Sequence, residues 1–103
     1  MAKRTDPETS GMIYIVEAQG LQKIKMGFTS VTFGARLAVI QTGSPVWIIP
    51  LLVWPGATKR EEMLMHQAFE GDRFQGEWYW YTDAMRTFIL SLSRSLGEKG
   101  VTF

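Results

Sequence analysis

Residues 12–28 read MIYIVEAQGLQKIKMGF, and this stretch decides the fold. Met12-Ile13-Tyr14-Ile15-Val16 is β-branched and aromatic, the composition of a strand. Ala18-Gln19-Gly20 is a turn signal. Gln22 to Phe28 then alternates polar and apolar, so the two runs read as an antiparallel hairpin. The alternation puts Ile24, Met26 and Phe28 on one face of the second strand and Lys23, Lys25 and Gly27 on the other.

Outward from the hairpin, Ser30 or Thr32 can cap a helix that carries Phe33, Leu37 and Ile40 at the spacing of one helical face, with Arg36 beside that stripe. Gly43-Ser44-Pro45 closes it. Residues 46–54 predict a third strand, and Pro50, which has no N–H for a ladder, marks an edge or a bulge. Pro55-Gly56 reads as a turn. Thr58-Lys59-Arg60-Glu61 is a capping box. The helix behind it is expected to turn Leu64, Met65, Ala68 and Phe69 inward, with His66 at the edge of that face one turn after Glu62. Residues 71–81 predict an irregular loop dense in aromatic side chains. Thr82-Asp83 caps a last helix with Met85, Phe88, Ile89, Leu92 and Leu96 on one stripe, ended by Gly97. The expected fold class is α+β: a three-stranded antiparallel sheet flanked by helices, in the order β-β-α-β-α-α. Residues 1–10 read as a flexible lead-in, 11–97 as the domain and 98–103 as a tail.

Composition bounds the function. The chain has 103 residues, 46% apolar and 20% charged, which fits one globular domain. Eleven basic against ten acidic residues give a net charge of +1. That excludes a globally basic nucleic-acid coat and leaves room for a local basic surface. Cys is absent and His occurs once, which excludes a disulfide scaffold, a Cys nucleophile and an ordinary Cys/His zinc site. No apolar segment follows Lys3 and Arg4, and the longest apolar run, residues 46–54, falls far short of the ~20 residues that span a bilayer. The expectation is a cytoplasmic protein with no membrane partner.

Five polar positions stand out: Tyr14, Lys25, Arg36, His66 and Glu77. Each has an ordinary structural role available to it: a packed Tyr with a wet hydroxyl, a solvated Lys, an Arg covering apolar neighbours with its stem, a His paired with a helix Glu. Glu77, between Gly76 and Trp78 in an aromatic stretch, is harder to place without a cation. Together they are the residue types that phosphodiester hydrolysis needs. A carboxylate holds a divalent cation, a guanidinium neutralises charge growing on the phosphoryl oxygens, and a Tyr or Lys deprotonates or orients the attacking water. One carboxylate suffices for Mg²⁺, which keeps several waters and takes other ligands from phosphate.

These residues sit in Met12-Ile13-Tyr14, Lys25-Met26-Gly27, Arg36-Leu37 running into Gln41-Thr42-Gly43-Ser44-Pro45, Glu62-Met63-Leu64-Met65-His66, and Gly76-Glu77-Trp78-Tyr79. In that order the set resembles the GIY-YIG nuclease superfamily, in particular its compact phage and bacterial branch. The resemblance runs from Gly11 to Ile89. It implies a layered β-β-α-β-α-α domain that cuts DNA with one Mg²⁺ or Mn²⁺. It implies Glu77 as metal ligand, Arg36 on the transition-state phosphate and Tyr14 activating or positioning water. Lys25 stands where the second motif usually has Tyr and would share the base role. His66 would support the phosphate or Tyr14, with Glu62 behind it. Met12 replaces the first-motif Gly, Met26 replaces Ile, and the Asn that many members carry after the Glu has no counterpart, since the chain contains no Asn. Many family members append a DNA-recognition domain; here target choice is expected to come from the domain itself, from a homodimer or from a separate targeting partner. The alternative is a nuclease-like domain that binds nucleic acid or a partner protein without cleavage, and a third reading is a purely protein-binding module that uses the patch from Trp78 to Tyr81.

Overall fold

A computed structural model describes residues 10–103. The hairpin forms as the pattern dictates: β1 (Ser10–Ala18) pairs antiparallel with β2 (Lys23–Thr29), Tyr14 opposite Gly27 and Val16 opposite Lys25. β1 is then central. Ile13 to Val16 are all at most 1% exposed, because helices cover both faces of the strand, and this accounts for its near-continuous apolar run.

α1 (Phe33–Thr42) is capped by Thr32, whose Oγ1 accepts from the Ala35 N–H at 3.3 Å. Its Phe33, Leu37 and Ile40 pack on Tyr14, Val16, Ile48 and Val53, one face of the sheet. The Gln41-Thr42-Gly43-Ser44-Pro45 segment has a mechanical use. The Gln41 amide donates to the Val46 carbonyl at 3.0 Å and accepts from the Ile48 N–H at 2.8 Å, fixing the entry into β3 (Ile48–Thr58).

β3 runs through Pro55-Gly56 and pairs with β1 along its length, so the expected turn there is a bulge within a strand. The register slips between Gly11 and Met12 and again between Ile15 and Val16. Gly56 takes φ +79° at the first slip, where a Cβ would be strained, and Pro50 lies beside the second. The bulge expected at Pro50 is therefore present.

α2 (Lys59–Ala68) opens on the complete capping box: Thr58 Oγ1 accepts from the Glu61 N–H, and Glu61 Oε1 accepts from the Thr58 N–H at 2.8 Å. Thr58→Ala removes one half of this reciprocal pair. We expect it to lower stability by about 1–2 kcal/mol in urea denaturation, with an unchanged m-value.

The inward face of α2 differs from the expected one. Leu64 is 57% exposed and Ala68 is exposed too, whereas Glu62 is buried at 2% beside Met65. The helix packs through Glu62, Met65, His66 and Phe69, and two polar residues within that stripe hide it from a purely hydrophobic reading. α3 (Asp83–Leu96), capped by Thr82, packs Met85 and Ile89 with Phe88, Leu92 and Leu96 on the same side of the sheet as α2, as its stripe predicts.

The sheet is larger than expected. Among the described residues it has six strands in the order β4-β5-β2-β1-β3-β6, all neighbours antiparallel, instead of three. The aromatic stretch is not irregular. β4 (Arg73–Gln75) and β5 (Trp78–Trp80) form a hairpin, and β5 pairs with β2, placing Trp80 opposite Lys23 and Trp78 opposite Lys25. β6 (Val101–Thr102), in the stretch read as a tail, pairs with Leu52 and Val53 of β3. These additions are two or three residues long, too short for an alternating pattern to register as strands. The α+β class stands; the three-stranded count does not. The lead-in proposed for residues 1–10 lies outside the described residues except for Ser10, which opens β1. No helix of the described chain is long and apolar enough to cross a membrane.

Candidate metal and phosphate site

β5 begins one residue after Glu77, and the Met26 N–H of β2 donates to the Glu77 carbonyl at 3.2 Å. Beyond that point β2 has no neighbour on this side among the described residues, so Glu77 marks a step in the sheet rim. Side chains from both layers reach this step.

From the α1 side, Lys25 Nζ lies 3.4 Å from Glu77 Oε1. Tyr14 comes across Gly27: a Cβ built on Gly27 would stand 2.3 Å from both Cζ and Oη of Tyr14. The bare backbone at Gly27 is the channel through which the phenol crosses β2 toward the rim. The Tyr14 ring is 1% exposed and its other side meets Phe33, with ring centroids 6.1 Å apart. The Tyr14 pKa is raised to about 12, first by burial and then by the Glu77 charge, with Arg36 opposing and Glu62 adding to the rise. All three charges act on this one hydroxyl. Arg36, half a helix away from its cap, shares a cleft with Lys25, and its buried Nε has no hydrogen-bond partner among the described residues.

From the other layer come Glu62 and His66, one turn apart on α2. Glu62 Oε1 is held by Lys59 Nζ at 2.7 Å, whereas Glu62 Oε2 is buried without a hydrogen bond among the described residues. His66 Nε2 lies 2.8 Å from the Met26 carbonyl oxygen. A carbonyl only accepts, so this contact requires the proton on Nε2. The ring is held against Tyr79, centroids 5.5 Å apart, and Nε2 stands 3.8 Å from Glu62 Oε2. Glu62, His66 and Glu77 each offer a ligand atom within 4.8 Å of the others.

The five residues singled out from the sequence thus converge from β1, β2, α1, α2 and the turn before β5. Lys25, Glu77 and His66 join through direct contacts or the ligand cluster, and Tyr14 through its electrostatic coupling to Glu77 and Arg36. The residue missed as a ligand is Glu62, read from sequence only as a partner of His66. Its signal was present: an acid at i and a His at i+4, on the side of the helix that also carries Met65.

The donor set fits a hard divalent cation. Two carboxylates of like charge approach each other, each neutralised on its outer side by a Lys, and a buried carboxylate oxygen is left without a donor. With Nε2–H committed to the Met26 carbonyl, His66 ties α2 to β2 beside Glu62, and the carboxylates of Glu62 and Glu77 are the residues that would hold the ion.

The raised Tyr14 pKa carries a stability consequence. The folded chain keeps the phenolic proton to higher pH than the unfolded chain does. The contribution is intact below pH 10 and is lost as pH rises through 10 toward 12. Tyrosinate absorbance should therefore show Tyr14 ionising near the alkaline unfolding transition, and Tyr14→Phe should remove that component.

Comparison with known proteins adds nothing to this geometry: no family model, no curated protein and no solved structure matches the chain.

Proposed function

We propose that the chain is a divalent-metal-dependent endonuclease that hydrolyses DNA phosphodiester bonds, in the manner of the GIY-YIG nucleases its motifs resemble. The observation that carries this reading is the meeting at one sheet rim of the Glu62 and Glu77 carboxylates, the Lys25 and Arg36 cations and the Tyr14 phenol. Packing alone gives no reason to bury Glu62 with one oxygen unpartnered. A bound Mg²⁺ or Mn²⁺ supplies Lewis acidity toward the scissile phosphate and a more acidic water.

The chain's own groups do the rest. Arg36 presents its guanidinium to the phosphoryl oxygens, whose charge grows as water attacks. Lys25 adds a second positive charge beside Glu77 and fixes that carboxylate. Tyr14 keeps its proton at neutral pH in the metal-free chain and so can donate a hydrogen bond that orients water or phosphate. His66 pins α2 to β2 through the Met26 carbonyl, which sets where the helix presents Glu62.

The test is supercoiled plasmid with Mg²⁺ or Mn²⁺. Nicked or linear product that a chelator abolishes, and that Arg36→Ala lowers by about 10²-fold, is the expected result. Cleavage indifferent to chelator or to Arg36→Ala removes the reading.

The Lys25–Glu77 ion pair favours one second reading, a domain that binds nucleic acid without cutting, because a cation already occupies the open side of the carboxylate. It predicts salt-sensitive DNA binding without turnover, and cleavage that appears in Lys25→Tyr.

A further inference from the structure

We propose that the cleft between α1 and the β4–β5 hairpin receives an unpaired nucleotide of the DNA strand being cut, its base stacked on the hairpin's aromatic wall. The inference rests on the nuclease reading and narrows its substrate to DNA with an unpaired stretch beside the scissile phosphate.

The cleft encloses about 520 Å³, within the roughly 300–1,000 Å³ usual for small-ligand sites. Its floor is the Lys23 and Lys25 side of β2. Arg36 stands on the α1 wall, Phe74 and Trp78 on the hairpin wall, and among the described residues no Asp or Glu lines it. Lys25 is paired with Glu77 at the rim, and Lys23 and Arg36 supply the local anion-attracting charge in a chain of net charge +1.

Alternation along β5 buries Tyr79 fully on the α2 side and puts Trp78 and Trp80 on the side of Lys23 and Lys25, where Trp78 is half-buried against the Tyr14 and Val16 cluster. Phe74 lines the cleft and is 50% exposed; Trp80, outside the lining, continues the aromatic face beside it at 43% exposed. Their rings meet edge to face at 5.4 Å, and Lys23 Nζ lies 4.4 Å from both centroids. Half-exposed rings held by a cation form a stacking platform within a basic groove, the combination that binds single-stranded nucleic acid. A base inside a duplex has both faces covered by its neighbours and cannot use such a wall; an unpaired one can. Lys25 and Arg36 belong both to this cleft and to the Glu77 site, so an occupant of the cleft is continuous with the phosphate at the rim.

The experiment is fluorescence anisotropy with a labelled single-stranded DNA oligonucleotide and the blunt duplex of the same sequence, in EDTA so that neither is cut. It is paired with Mg²⁺-dependent cleavage of an intact duplex and of one carrying an unpaired bubble. We expect the single strand to bind roughly tenfold tighter or better than the duplex. Phe74→Ala and Trp80→Ala should each weaken single-strand binding by about tenfold and leave duplex affinity unchanged. Phe74→Leu keeps the apolar bulk and should behave like Phe74→Ala, whereas Trp80→Phe keeps a π face and should retain most affinity. Both rings are half-exposed, so the variants should melt like wild type by circular dichroism.

Equal affinity for the two DNA forms, single-strand binding unaffected by Phe74→Ala and Trp80→Ala, or tighter binding of the matching single-stranded RNA overturns the proposal. Glu77-dependent cutting of intact duplex as fast as of the bubble also overturns it and leaves the nuclease standing. Ring-dependent single-strand binding with no cleavage of either substrate upholds the cleft assignment and removes the nuclease.

Discussion

Glu77→Gln should abolish metal-dependent nicking, with a fall of about 10²-fold or more, while the protein stays folded. The substitution keeps the side chain's shape and removes its charge. Glu77 is 38% exposed at the side chain and its structural hydrogen bond uses the backbone carbonyl, which Gln preserves. What disappears is an anionic oxygen in the Glu62–His66–Glu77 cluster, and with it half of the carboxylate charge that would hold Mg²⁺ or Mn²⁺. Titration calorimetry with Mn²⁺ should lose its binding isotherm in parallel with the nicking. Glu62→Gln should lose binding as well, but with a cost in stability that Glu77→Gln lacks, because Lys59 Nζ at 2.7 Å loses its buried counter-charge. Wild-type nicking by Glu77→Gln would show that this carboxylate holds no metal.

Gly27→Ala should be the most damaging single methyl in the chain. The added Cβ would lie 2.3 Å from the Tyr14 ring and hydroxyl, and 1% exposure with Phe33 behind leaves the ring nowhere to retreat. Overpacking of this kind typically costs ~1–3 kcal/mol. At ~4–8 °C per kcal/mol, the upper end corresponds to a loss of roughly 12–24 °C in Tm. Activity should fall further than stability, since a displaced Tyr14 cannot reach the rim. A double-mutant cycle with Tyr14→Ala isolates the cause: the penalty for Gly27→Ala should largely vanish once the ring is gone, and an unchanged penalty in that background would place the strain elsewhere.

The central hairpin, the capping box, the bulge at Pro50 and the α3 stripe were legible in the sequence because each depends on contacts only a few residues apart. The outer strands were not. Trp78–Trp80 is a strand because Lys23 to Lys25 lies beside it, a fact carried by residues more than fifty positions earlier and invisible in a three-residue window. The site shows the same division. Tyr14, Lys25, Arg36, His66 and Glu77 were found from residue type and order. The role of Glu62 depended on which way α2 rolls, and its buried polar face runs against the hydrophobic pattern used to orient it. Gly27 was legible as a motif glycine, but its reason, the phenol lying across it, exists only in three dimensions.

The sheet tapers at both ends, to three residues at Arg73–Gln75 and two at Val101–Thr102, with Pro50 and Pro55 interrupting the strand behind the second. A second copy of the chain finds no long, straight row of free amides against which to dock a strand. A protein whose proposed working surfaces crowd one rim can therefore expose tryptophan and phenylalanine there without offering a template for fibril growth.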